Sequence, residues 1–148
     1  PNDLRSESLL AQQDGLETAR IRMNEQGGSN ATSGSETKTV VLVVPSEVMG
    51  RATFTLGQIL IRGFFHTLGE VDPVPDTVIF FNSGVKLVAE DSPVLDDLQS
   101  LSGQGLQWLA CGTCLGHYGL KDKVAVGEVS NMYTIAETLL QAGKVVNL

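Results

Sequence analysis

In Leu106-Gln107-Trp108-Leu109-Ala110-Cys111-Gly112-Thr113-Cys114, an apolar run passes directly into a small, polar, cysteine-bearing turn. Residues 106–110 read as a buried strand, so Cys111 falls at its C-terminal end, and a helical turn is expected to follow. That turn should aim free backbone N–H groups at the Cys111 sulfur. A helix N-terminus favours negative charge, and such positions lower a thiol pKa from ~8.5 to roughly 3.5–7.5. Cys111 is therefore the first candidate for a nucleophilic thiolate. It and Cys114 are the only cysteines in the chain.

The same strand-then-helix alternation extends outward on both sides. Upstream, Val40–Val44 is a β-branched run bounded by Pro45, and residues 77–81 form a second apolar run. Both read as strands buried on two faces, with 106–111 as the third. Leu56, Ile59, Leu60, Gly63, Phe64 and Leu68 recur at helical spacing between the first two, with Arg62 and His66 on the polar side. Ser92-Pro93 should open a second helix carrying Val94, Leu95, Leu98 and Leu101 on one face. Downstream, residues 123–126 read as a brief fourth strand, and Gly127 to Met132 as a strand end with a helix cap. Ser130 or Asn131 caps a helix whose Met132, Ile135, Ala136, Leu139, Leu140 and Gly143 share a face. Residues 144–148 close as a fifth strand. Parallel strands need long crossovers, so the pattern predicts a three-layer α/β/α sandwich with a mainly parallel five-stranded sheet.

Residues 1–38 differ in character. Residues 4–25 contain helix formers at irregular spacing and residues 27–39 are a mobile Gly/Ser/Thr linker, so 1–38 are expected to be a largely disordered tail and linker. The domain is thus expected over 39–148. The chain opens at Pro1 rather than Met, as a piece of a longer protein would.

With 148 residues, 42% of them hydrophobic and 18% charged, the chain can bury one core. The formal net charge is −7, and both parts carry more acids than bases: six against four in 1–38, eleven against six in 39–148. No basic patch exists to recruit nucleic acid. The longest apolar run, Val40–Val44, is far short of the ~20 residues of a membrane helix, and no signal peptide pattern is present. Two cysteines two residues apart do not make a disulfide framework; they point to redox, sulfur-transfer or metal chemistry in a reducing compartment, the cytoplasm.

Ligands in such sheets collect outside the C-terminal strand ends, where the loops 45–55, 82–90 and 111–121 converge. A thioredoxin-type site would need a proline opposite the cysteines, and none follows Pro93. A persulfide carrier needs only one nucleophilic thiol in a sheltered pocket rich in amides, here those of Gly112 and Thr113. The plainer alternative is two buried thiols acting as small hydrophobes. Cys111, Cys114 and His117 have C-x2-C-x2-H spacing, but a fourth zinc ligand is missing, so no metal is expected. No cofactor is expected either. Asn82, Ser83, Gly84 and Lys86 leave the second strand as a polar, flexible turn presenting a cation that would hold an anionic group or a Cys111 thiolate; a plain Asx turn with a solvated lysine competes with this. Arg51 and His117 are surface residues that could face the same mouth.

From residue 39 to 148 the sequence resembles the C-terminal domain of the YedF-type proteins, which are sulfurtransferase-like, associated with selenium metabolism, and part of the DsrE/DsrF/TusD-like group. The matching residues are Gly50-Arg51, Leu56-Gly57, Gly63-Phe64, Phe81-Asn82-Ser83-Gly84-Val85-Lys86-Leu87, Cys111-Gly112-Thr113-Cys114-Leu115, Tyr118-Gly119-Leu120-Lys121-Asp122 and Val126-Gly127-Glu128-Val129. The resemblance implies a homo-oligomer that passes sulfur as a cysteine persulfide between donor and acceptor proteins of a relay, TusA-like ones included. In relatives the working cysteine precedes a glycine by eight residues, as Cys111 precedes Gly119. Relatives often carry arginine where Tyr118 stands. YedF-type proteins also carry an N-terminal TusA-like domain with a Cys-Pro motif, which residues 1–38 do not match.

Together these readings make Cys111 the expected sulfur carrier, with selenium as a possible cargo. Its thiolate would take the terminal sulfur of a donor persulfide, with Lys86 and loop amides holding the charge and Cys114 resolving or guarding the product. A dithiol redox module and a non-catalytic oligomeric binding domain are the competing readings. Phe65 and Tyr133 are candidates for a subunit contact.

Overall fold

The computed structural model describes residues 38–148; the expected tail and linker in 1–37 lie outside the described residues. Five strands, β1 (Val40–Val44), β2 (Thr77–Phe80), β3 (Gln107–Cys111), β4 (Glu128–Ser130) and β5 (Lys144–Asn147), form one sheet in the order β4-β3-β2-β1-β5. Every pairing is parallel, with Val43 opposite Ile79 and Ile79 opposite Leu109. Helices α1 (Phe54–Leu68), α2 (Leu95–Ser102), α3 (Gly112–His117) and α4 (Met132–Gln141) make the crossovers and cover both faces. The expected α/β/α sandwich is the observed architecture.

The three central strands bury nearly everything they carry. Val44, Val78, Ile79 and Phe80 are fully buried, and the Phe80 ring stacks between Phe65 and Trp108 at 6.2 and 6.0 Å. Each such side chain contributes roughly 1.5–3 kcal/mol by leaving water. Helix starts are locally specified: Thr53 Oγ1 accepts from the Leu56 N–H at α1, and Asn131 Oδ1 from the Thr134 N–H at α4. Each cap stabilises by about 1 kcal/mol.

Five expectations need correction. The fourth strand is Glu128–Ser130, not 123–126. Lys121–Lys123 is a 3₁₀ turn, Val124 makes a lone antiparallel bridge to Ala89, and the N–H groups of Ala125 and Val126 both donate to the Val88 carbonyl. The chain joins the sheet edge only after Gly127, at φ +81°, brings its Cα against the Trp108 backbone. Helix α2 begins at Leu95, because Ser92 is occupied by a turn in which its Oγ accepts from the Val94 N–H. On α1 the inward face is Gly57, Ile61, Phe65 and Leu68, while Leu56, Ile59 and Leu60 face outward. Phe65 is fully buried and lines no outer surface. On α4 only Ile135 is fully inside, and Met132, Tyr133 and Leu140 are exposed.

Candidate functional site: two thiols at the end of β3

Cys111 is the last residue of β3, still in register with Ser130 of β4 and only 1% exposed. It is also the N-cap residue of α3, but its side chain makes no capping hydrogen bond. Strand pairing aims that side chain into the core rather than across the first turn of the six-residue helix. The amide cradle expected around the Cys111 sulfur is therefore absent as a capping bond.

One turn on, Cys114 is half-buried and its Sγ accepts the Asn82 backbone N–H at 3.0 Å. This bond joins the loop after β2 to the helix after β3. Cys114 lies on the wall of an open cavity of about 400 Å³ formed by Phe81, Asn82, Thr113, His117, Tyr118 and Met132. Burial pushes the Cys114 thiol pKa up, as do a hydrogen bond with the Cys111 side chain and the repulsion of an ionised Cys111; the Asn82 N–H acts in the opposite sense. Both cysteines are free thiols.

The other expected site residues divide between two places. Asn82 and Thr113 stand on the cavity wall, and Gly112 packs against Val129 and Ser130 of β4. Ser83 Oγ instead accepts the Glu47 N–H at 3.3 Å, and Gly84 is buried against the Val44 carbonyl. Lys86 does not line the thiol cavity: its Nζ donates to Glu47 Oε1 at 2.9 Å and lies 4.7 Å from the Tyr118 ring centre. That hydrogen bond is the main reason its pKa is raised. Lys86 belongs to a second hollow of about 290 Å³, lined also by Glu47, Glu90, Asp91 and Tyr118. Tyr118 thus forms a wall of both hollows, and the His117 ring meets it edge-on at 4.9 Å. Arg51 is exposed, and His66 lies beside Asp97 at 3.2 Å on the far end of α1. Among the described residues no group of three or more His, Cys, Asp or Glu side chains is placed to hold a metal ion.

Sequence reasoning missed two participants. Met132 reads as a core position on α4 but is 60% exposed and lines the thiol cavity. Glu47, which neutralises Lys86, carried no signal beyond its place in a loop after β1.

The cavity opens over the carboxyl ends of β2 and β3, as ligand sites in parallel sheets do. A family model, the DsrE/DsrF-like family, matches residues 48–148. The chain belongs to the DsrE/DsrF-like family. Its fold is shared by the YchN protein of Escherichia coli, at 16% identity and a TM-score of 0.59 over 76% of this chain and 100% of that one. A protein of unknown function from Methanobacterium thermoautotrophicum gives 20% identity and 0.55, over 75% of this chain and 99% of its own. A conserved protein of unknown function from Bacteroides thetaiotaomicron gives 18% and 0.55, over 79% and 100%. No curated protein matches the chain in sequence. DsrE-like proteins generally serve sulfur relays, and a pair of adjacent free thiols at an open cavity suits that chemistry. Among the described residues no helix is long and apolar enough to cross a membrane.

Proposed function

We propose that this DsrE-like domain is a sulfur carrier that holds sulfane sulfur, or selenium, as a persulfide on Cys111, with Cys114 beside it. One observation carries the reading: two free thiols stand at the junction of β3 and α3, one buried at the strand end and the other on the wall of a cavity. A persulfide needs a nucleophilic sulfur, a shelter from solvent and a way in. Cys111 supplies the first two, and the cavity beside Cys114 supplies the third. Donor and acceptor are then proteins of a relay, TusA-like ones among them, in the cytoplasm, where free thiols persist. The exposed apolar residues of α1 and α4 support a homo-oligomer as the working form.

Intact-protein and peptide mass spectrometry after incubation with a persulfide donor, without reductant, tests this. One added sulfur at the cysteine pair, removed by dithiothreitol, is the expected result; no mass change would sink the proposal. The C-x2-C spacing of the two free thiols also favours a second reading, a dithiol redox module. Its mark is loss of two hydrogens with a reduction potential near the glutathione pool.

A further inference from the structure

The two thiols of the pair are not equally reachable. Cys111 is 1% exposed and does not line the cavity, whereas Cys114 does. A donor persulfide carried on a protein or on glutathione can bring its outer sulfur only as far as the cavity. Resting on the persulfide reading above, we propose that Cys114 is the entry thiol, which takes the sulfane sulfur from the donor in the cavity and passes it inward to Cys111 for storage.

Both steps balance without an outside oxidant or reductant. In the first, Cys114 gives up its proton and its sulfur attacks the outer sulfur of the donor persulfide. A new S–S bond forms, the donor's S–S bond breaks, and the electron pair leaves on the donor sulfur, which takes up a proton. In the second, the Cys111 sulfur, as thiolate, attacks the outer sulfur now on Cys114. The bond to Cys114 breaks, its electron pair returns to Cys114, and that sulfur takes up the proton released by Cys111. The Asn82 N–H, already aimed at the Cys114 sulfur at 3.0 Å, stabilises the charge left there. The sulfane sulfur changes partners and keeps its oxidation state throughout.

The raised pKa of Cys114 works against the first step, because less thiolate is present. The loss is partial: a more basic sulfur is also a better nucleophile, with a Brønsted coefficient of about 0.4–0.5, so the rate falls by less than the thiolate fraction does. Direct attack by Cys111 on a bulky donor would instead require local opening of the β3–α3 junction before any chemistry. Access outweighs acidity here.

The test uses the full chain and glutathione persulfide, quenched with iodoacetamide at successive times, with fragment ions distinguishing Cys111 from Cys114. The added sulfur is expected first on Cys114 and later on Cys111. Cys114→Ser should load Cys111 slower by about tenfold or more, the effect of requiring an opening step. Cys111→Ala should load Cys114 at no less than the wild-type initial rate and leave that sulfur open to cyanide. Cys111→Ser serves as a second variant, with Trp108 fluorescence confirming that each is folded. Label on Cys111 before Cys114, or wild-type loading in Cys114→Ser, would overturn the entry role. A Cys111–Cys114 disulfide with release of hydrosulfide would overturn the inward transfer, because Cys111 would have attacked the inner sulfur and stored nothing. Wild-type protein taking sulfur at neither thiol would overturn the carrier reading itself.

Discussion

The Asn82 backbone N–H donates to the Cys114 sulfur across 3.0 Å, linking residues 32 positions apart. Asn82 makes this bond from the left-handed region, at φ +53°. The backbone there turns sharply out of β2, and that turn is what aims the N–H across to α3. A short polar residue tolerates the conformation, whereas a β-branched one does not.

Asn82→Val should therefore destabilise the fold by about 1–2 kcal/mol, the cost of holding an L-residue in that region. It should also change Cys114 alkylation, while Asn82→Gly leaves both close to wild type. Urea unfolding with iodoacetamide kinetics checks this. Equal stability of the valine and glycine variants would contradict the account.

Gly84, matched to the family pattern and part of the turn expected to hold an anionic group, packs where any Cβ would collide with the Val44 carbonyl. Gly84→Ala should cost about 1–3 kcal/mol by overpacking, with no role for a ligand in the loss. Thermal unfolding without added donor reads it. A variant of unchanged stability that failed only in sulfur loading would return Gly84 to the binding residues.

Strand positions are legible in the sequence because a strand buried on both faces is an unbroken apolar run, as in Val40–Val44 and Trp108–Ala110. The edge strand Glu128–Ser130 has no such run, being largely exposed, whereas the more apolar residues 123–126 just before it make only a lone bridge. Helix faces were harder. Helix α1 is apolar on two sides, and periodicity alone does not say which side meets the sheet. At the site, the Cys pair and its place at a strand end were legible, and so was the loop carrying Asn82. Burial of Cys111 against exposure of Cys114 was not, because it depends on the pairing with Ser130. The partner of Lys86 was hidden for a similar reason: Glu47 approaches it from a loop 39 positions away.

Lys86 pairs with Glu47 on a partly exposed surface, the lysine side chain being 38% accessible. Such pairs contribute about 0.2–1 kcal/mol, and the contact with Tyr118 adds roughly 0.5–1 kcal/mol. Lys86→Met should thus lower stability only modestly and leave the pH dependence of Cys114 alkylation in place. A large shift in that profile would show that the cation acts on the thiols after all.

Ile59 and Leu60 on α1 and Leu140 on α4 face solvent at 60%, 45% and 87%. If the chain assembles through either surface, Ile59→Glu or Leu140→Glu should dissociate it by placing an unpaired charge in the contact. Sedimentation of both variants beside the wild type identifies the face. A monomeric wild-type chain would remove the oligomer from the proposed function.

The Cys114 thiol has its pKa raised by burial first, then by the Cys111 hydrogen bond and charge. Its alkylation rate should keep rising with pH beyond the ordinary thiol value of ~8.5. The linked effect on stability has a definite sign. Below ~8.5 both states are protonated and the contribution is complete; above it the unfolded chain loses its proton while the folded thiol keeps it, so stability falls until the folded thiol also ionises. Cys111→Ala removes two of the raising causes and leaves burial, so the alkylation profile of Cys114 should move to lower pH. The alkaline loss of stability should shrink with it. Peptide-resolved iodoacetamide kinetics between neutral and alkaline pH, paired with urea unfolding over the same range, measure both. An unmoved profile in Cys111→Ala would mean that the two sulfurs do not communicate, and the inward transfer from Cys114 to Cys111 would lose its physical basis.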